Sequence, residues 1–246
     1  MAFMHDLYET IIEALFPLSP AETELFSMSP EQALNKLPKA PEYGHSTVPL
    51  QNTYSIFAYK DERVSKLIWN IKYKKSEKAI KIGGYALFHE LLENQAFAET
   101  MANIGEGRTF VIPIPITDQR RRERGYNQCE LLLDEIERLS KLSISADHHS
   151  PTSSLTFNKE ILIKTRNAKR QTLKNREERL DSAKDIFAID NKALNRLSSD
   201  KTSLNVKDYP VIIIDDVITT GSTMKEARDT LKEAGFKKVF GLSLAH

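Results

Sequence analysis

The apolar positions of this chain fall into two kinds of run, one at helical spacing and one of strand length. Leu7, Ile11, Ile12, Leu15 and Phe16 predict an amphipathic helix at the start of the chain. Prolines at 17, 20, 30, 38, 41 and 49 then predict an irregular segment to residue 50, with a short helix at 30–37. The run YSIFAY at 54–59 is aromatic and β-branched and reads as a strand. Helical patterns follow at 62–72 and 77–96, carried by Leu67, Ile68 and Ile71 and then by Ile80, Ile82, Ala86, Leu87, Leu91 and Leu92. Trp69 sits on the first of these and reads as core, and Gly83 and Gly84 interrupt the second. The run FVIPIPI at 110–116 predicts a buried strand whose prolines mark its end, where a loop leaves the sheet.

Leu131, Leu132, Ile136 and Leu139 predict a helix over 127–139. The polar stretch 142–159 reads as a loop or insertion, and 160–163 and 186–189 as short strands. Another polar stretch, 190–208, reads as a loop or hairpin excursion. The plainest buried strand is VIII at 211–214, followed by a helix at 222–234 and a last strand at 238–244. Strands that alternate with helices and are apolar on both faces predict a mostly parallel sheet.

Composition narrows the class. The chain has 246 residues, 40% hydrophobic and 28% charged, enough for one α/β domain with a real core. Lys+Arg is 35 against Asp+Glu 34, a net charge of +1, which excludes a uniformly basic nucleic-acid coat. The single cysteine, Cys129, excludes an internal disulfide and a zinc site of four cysteines or of two cysteines and two histidines. His148 and His149 adjoin in a polar stretch and point apart on an extended chain. The apolar runs are too short for a membrane span. Asp6, Glu9 and Glu13 give the first residues the wrong charge for a signal peptide. A cytoplasmic protein is expected.

The informative segment is VIIIDDVITTGST at 211–223. A buried strand ends in Asp215 and Asp216, and a hydroxyl-rich turn, Thr219, Thr220, Gly221, Ser222 and Thr223, opens the next helix. Ligands of open α/β sheets bind at the carboxyl ends of strands. A helix N-terminus offers free N–H groups to a phosphate, and a glycine lets the backbone approach it. Carboxylates beside such a turn suit a ligand with hydroxyls or a metal at one end and a phosphate at the other. No G-x-x-x-x-G-K-[ST] accompanies the acids, and Gly105-Glu106-Gly107 precedes a strand instead of following one, so neither a P-loop nor a dinucleotide fingerprint is present.

This segment resembles the phosphoribosyl-pyrophosphate (PRPP) loop of type I phosphoribosyltransferases. Three further marks are Lys72-Tyr73-Lys74, then Ile112-Pro113-Ile114-Pro115 with Arg120, Arg124, Gly125, Tyr126, Asn127 and Gln128, and then a basic run from Lys164. In order, they resemble the ComF/GntX family, which includes competence proteins of DNA uptake. The resemblance covers residues 54–246, with two departures. Many members begin with a four-cysteine zinc module, which residues 1–50 would replace as an extension to the 51–246 domain. The family's Lys-Tyr-Lys-Gly reads Lys72-Tyr73-Lys74-Lys75 here.

The resemblance implies a type I phosphoribosyltransferase-like fold: an α/β domain with a mostly parallel central sheet flanked by helices, and a small N-terminal helical or irregular extension. It also implies a Mg-dependent transfer of the phosphoribosyl group to a nitrogenous acceptor. Asp215 and Asp216 would be catalytic, meeting the ribose hydroxyls, with Mg carried near them by PRPP rather than bound directly. Residues 219–223 would hold the 5-phosphate. Arg120–Gln128 would form a pyrophosphate-side loop, and Arg166, Arg170, Gln171, Arg176 and Arg179 a hood over the site. The alternative is a non-catalytic PRPP- or nucleotide-binding accessory protein that contacts single-stranded DNA through its basic segments, with a helicase-like DNA-translocating ATPase as partner.

Overall fold

The computed structural model describes residues 17–41, 51–102, 108–147, 150–165, 186–198 and 206–246. The predicted helix over the first sixteen residues, the Gly105–Gly107 turn and His148–His149 lie outside them.

Two short helices open the described chain, α1 (Pro20–Ser27) and α2 (Pro30–Lys36). Each has a proline in its first turn and a serine cap, Ser19 or Ser29, in a capping box with Glu22 or Gln32. The expected irregular segment is thus partly helical, because Ser-Pro is a helix start as well as a break. Strand β1 (Thr53–Phe57) leads into α3 (Glu62–Trp69), whose N-terminal N–H groups are capped by Asp61. The helix does not stop there. It widens into a π-turn, Asn70–Lys74, closed by Lys75 in the left-handed conformation at φ 51°. Helices α4 (Glu77–Glu93) and α5 (Gln95–Ala102) follow, divided at Asn94.

Strand β2 (Thr109–Pro113) ends at the first of the two prolines, as its sequence predicts. The expected loop at 120–128 is instead a short helix, α6 (Asp118–Arg124), capped by Thr117 and ended by Gly125 at φ 83°. A longer helix, α7 (Gln128–Ala146), continues into the stretch expected to be a loop. A 3₁₀ turn (Pro151–Ser154) and β3 (Leu155–Phe157) complete that stretch. Strands β4 (Leu162–Lys164) and β5 (Phe187–Ile189) pair with each other outside the main sheet, antiparallel. Helix α8 (Asn191–Ser198) stands where an irregular excursion was expected, because Ala193, Leu194 and Leu197 lie on one face of it. Strand β6 (Val211–Val217), α9 (Ser222–Glu233) and β7 (Val239–Ala245) follow the predicted order.

Among the described residues, five parallel strands form one sheet in the order β1-β7-β6-β2-β3. This is the mostly parallel sheet that the alternation predicts. Helices cover both faces, so side chains of β6 alternate between two cores. Ile212 and Ile214 face α3, α4 and α7, and Val211 and Ile213 face α9. Each such fully buried side chain is worth about 1.5–3 kcal/mol. α1 and α2 join the first core through Leu25, Ala33 and Leu34. Gly83 and Gly84 let α4 and α7 close on each other: a Cβ at Gly84 would stand 2.6 Å from Glu135 Cβ.

Candidate functional site

Strand period places the two acids. Asp215 shares the parity of Val211 and Ile213, and Asp216 that of Ile212 and Ile214, so they face opposite sides of the sheet at its carboxyl edge. Both are buried. On its side, Asp215 Oδ1 accepts from Asp216 N at 2.9 Å and lies 3.5 Å from Cys129 Sγ, the thiol of α7's first turn. On the other, Asp216 Oδ1 accepts from Val217 N at 2.9 Å. Lys72 Nζ, from the π-turn, stands 3.0 Å from Asp216 Oδ2. That contact is an ion pair by distance but lacks hydrogen-bond geometry, so Oδ2 is buried without a hydrogen-bond partner among the described residues.

The electrostatics follow from the crowding. Burial, then the charge of Asp216, pushes the Asp215 carboxyl up to about 8. Near neutrality Asp215 therefore holds its proton. Burial also pushes the Cys129 thiol well up, with Asp215 and Asp216 adding to the effect. A catalytic thiolate is therefore disfavoured here.

Beyond the acids, the strand end leads into the hydroxyl turn. Gly221 adopts φ 79° and caps α9 with no side-chain hydrogen bond. The first N–H groups of that helix lack helical partners. Ser222 N meets Thr220 Oγ1 only at 3.5 Å, and the hydroxyls of Thr220 and Ser222 are 3.0 Å apart. The backbone from Ile218 to Met224 encloses a hollow of about 30 Å³. Beside it lies a cleft of about 640 Å³, which shares Asp215, Val217 and Thr223 with it.

Among the described residues, four cations line that cleft: Lys72, Arg120, Arg124 and Lys164. Burial, then the nearby Arg120, pushes the Lys164 ammonium below its ordinary value. β2 and β6 are neighbours in register from Phe110↔Val211 to Pro113↔Ile214, and Ile114 N bonds to Ile214 O. This pairing brings Pro115 and the start of α6 beside the acids. The carboxylates and hydroxyls suit a hard, oxygen-seeking cation, whereas Cys129 on the far side does not.

The other predicted residues divide. Arg120, Arg124 and Gln128 reach the cleft. Asn127 caps α7, accepting from Cys129 N and donating to Ile114 O at 3.0 Å, so its amide is spent on the fold. Tyr126 Oη donates to Ile71 O and accepts from Lys75 N, both at 3.1 Å, which ties the α6–α7 turn to the π-turn. Gly125 serves the left-handed end of α6. Arg166, Arg170, Gln171, Arg176 and Arg179 lie outside the described residues. Lys72 and Lys164 are the site residues that the pattern of types did not single out. Lys72 carried a signal in the Lys72-Tyr73-Lys74 segment, and Lys164 as the first cation of the basic run.

Trp69 corrects the expectation of a core residue: it is 44% exposed. Its ring centroid lies 5.9 Å from that of Tyr73, which is 62% exposed. Lys74 Nζ stands 4.9 Å from the Trp69 ring, and Arg124 Cζ 5.3 Å from the Tyr73 ring.

A five-stranded parallel sheet with paired acids and a hydroxyl-rich turn at its carboxyl edge is the α/β fold of the type I phosphoribosyltransferases. The family model "Phosphoribosyl transferase domain" matches residues 154–242. Competence protein ComFC of Bacillus subtilis is 31% identical over 140 residues, 56% of this chain and 45% of that protein. Competence protein F of Haemophilus influenzae is 26% identical over 140 residues, 55% of this chain and 50% of that protein. Over rather more than half of its length the chain is thus similar to these competence proteins. It spans about half the length of the curated relatives it matches. No helix among the described residues is long and apolar enough to cross a membrane.

Proposed function

We propose that the chain is a phosphoribosyltransferase that binds PRPP with Mg and passes the phosphoribosyl group to a nitrogenous acceptor. The observation that carries this reading is the juxtaposition of two buried acids, an uncapped helix N-terminus and a cation-lined cleft at one sheet edge. The 5-phosphate would sit on Thr219, Thr220, Gly221, Ser222 and Thr223, where N–H and hydroxyl donors converge. Asp215 and Asp216 would hold the ribose hydroxyls and stabilise positive charge developing at C1. A bond forms from the acceptor nitrogen to C1 as the bond from C1 to the pyrophosphate oxygen breaks. Arg120, Arg124, Lys72 and Lys164 would receive the departing charge, with Arg166, Arg170, Gln171, Arg176 and Arg179 as a hood that excludes water. Bound Mg would supply charge neutralisation of the pyrophosphate, near Asp215 and Asp216.

The test is calorimetric titration of PRPP into the protein, with and without Mg, beside the Asp215→Asn/Asp216→Asn double variant. Binding that needs Mg and disappears in the double variant is expected. No binding by the native chain under either condition overturns the reading.

A second reading has its own observation. Trp69 and Tyr73, flanked by Lys74 and Arg124, form an exposed ladder of rings and cations at the rim of the cleft. Such a ladder suits the bases and phosphates of single-stranded DNA. In this reading the chain is a DNA-contacting accessory protein, with a helicase-like DNA-translocating ATPase as partner. Fluorescence anisotropy with a labelled oligothymidylate should show affinity that falls steeply with salt. Tyr73→Ala should cost about 1–3 kcal/mol of that affinity, the worth of one stacked base. An unchanged affinity in the variant would remove the ladder from the DNA path.

A further inference from the structure

α1 touches the π-turn through one carboxylate. Glu22 is only 5% exposed. Its Oε1 accepts from Asn70 Nδ2 at 2.8 Å and lies 3.5 Å from Lys74 Nζ. Its Oε2 accepts from Ser19 N at 3.0 Å and from Ser19 Oγ at 2.9 Å, and lies 3.9 Å from Lys66 Nζ. Asn70 and Lys74 are the first and last residues of the π-turn. One buried carboxylate therefore holds both ends of it. Lys72, at its centre, is the residue that meets Asp216. Neither Glu22 nor Asn70 lines the cleft.

The turn needs such a holder. A π-turn is rare and departs from the α-helical register of the helix it continues, so contacts from outside the helix bear on which register its residues take. Reversion by one residue would swing Lys72 about 100° around the helix axis, away from Asp216. Burial raises the Glu22 carboxyl, but the hydrogen bonds from Asn70 and Ser19 and the charge of Lys74 outweigh it and bring the group down to about 2. The holder is thus ionised through the neutral range.

We propose that Glu22 is a positioning residue: by fixing the two ends of the π-turn it sets Lys72 against Asp216, so that α1 is a working part of the cleft. This assigns the N-terminal segment a task that does not depend on the reaction performed in the cleft.

The test follows Lys72 directly. The full chain is treated with a neutral acylating reagent, and the modification rate of each lysine is read by peptide mass spectrometry, with exposed Lys232 as reference. Asp216→Asn removes the partner and calibrates the signal of a released Lys72. Glu22→Leu should raise the Lys72 rate about tenfold, the scale of a lost charge-assisted contact. Glu22→Gln keeps an acceptor for Asn70 and should raise it less. Asn70→Ala cuts the same link from the other side and should match Glu22→Leu, which keeps the test open if Glu22→Leu does not fold. A rise confined to Lys74, with Lys72 unchanged in folded variants, makes Glu22 a structural residue only and overturns the proposal. A PRPP titration of the same variants adds a second readout, with weaker binding expected. Failure of the native chain to bind PRPP would sink the transferase reading and leave the labelling result standing.

Discussion

Lys72 Nζ and Asp216 Oδ2 lie 3.0 Å apart, across the boundary between a helix-derived turn and the end of the central strand. Asp216 is buried, whereas the Lys72 side chain keeps 21% of its exposure. Removing one partner of a fully buried pair costs about 3–5 kcal/mol, because a charge is left uncompensated, and partial exposure discounts this. Lys72→Met should therefore lower stability by about 1–2 kcal/mol at neutral pH. Urea denaturation checks it, and an unchanged midpoint would mean that water replaces the ammonium at no cost.

Asp215 predicts a pH dependence of definite sign. Its carboxyl rises from the ordinary 3.8 to about 8 in the folded protein. Between those values the folded chain keeps a proton that the unfolded chain has lost, so this group's stabilising contribution is full below 3.8 and falls as pH rises toward 8. Asp215→Asn should flatten that part of the stability–pH curve. Glu22 acts in the opposite sense and in a lower window, with stability lost as pH falls from 4.5 toward about 2. Thermal melts across pH for the native chain and Asp215→Asn separate the two. A native curve without a decline toward pH 8 would count against the buried proton.

Lys75 closes the π-turn at φ 51° and ψ 34°, a conformation that costs a side-chain-bearing residue about 1 kcal/mol. Its ammonium stands 5.8 Å from the Tyr126 ring, a contact worth about 0.5 kcal/mol at the surface. Lys75→Gly relieves the first and forfeits the second, so a net gain of about 0.5 kcal/mol is expected. Lys75→Ala keeps the strain and loses the contact, so it should destabilise. Equal midpoints for the two variants would show that the left-handed backbone is not the deciding cost.

The central sheet was legible because its strands are buried on both faces. The runs at 110–113 and 211–214 are apolar without interruption, and the acids follow at the strand end where a parallel sheet opens to ligands. Elements with polar faces were harder to read. α8 has only a narrow apolar stripe, and the tail of α7, with Lys141, Ser143 and Ser145, looks like a loop until its buried Ser140 is seen bonding around Thr152. α6 carries four arginines and no buried residue, so only its Thr117 cap and Gly125 end betray a helix. The π-turn has no sequence signature of its own. Hence the pairing of Lys72 with Asp216 depends on tertiary contacts to the turn, such as those of Glu22 and Tyr126, and not on local pattern.

Cys129 lies wholly under the sheet edge, its sulfur turned toward Asp215 and its thiol held protonated by burial. The chain has no other cysteine. Its native surface is thus silent to maleimides and mild oxidants. A cysteine engineered at an exposed position would be the sole responsive thiol, and a spin label or fluorophore there would report changes in its own surroundings at the cleft without a background to subtract.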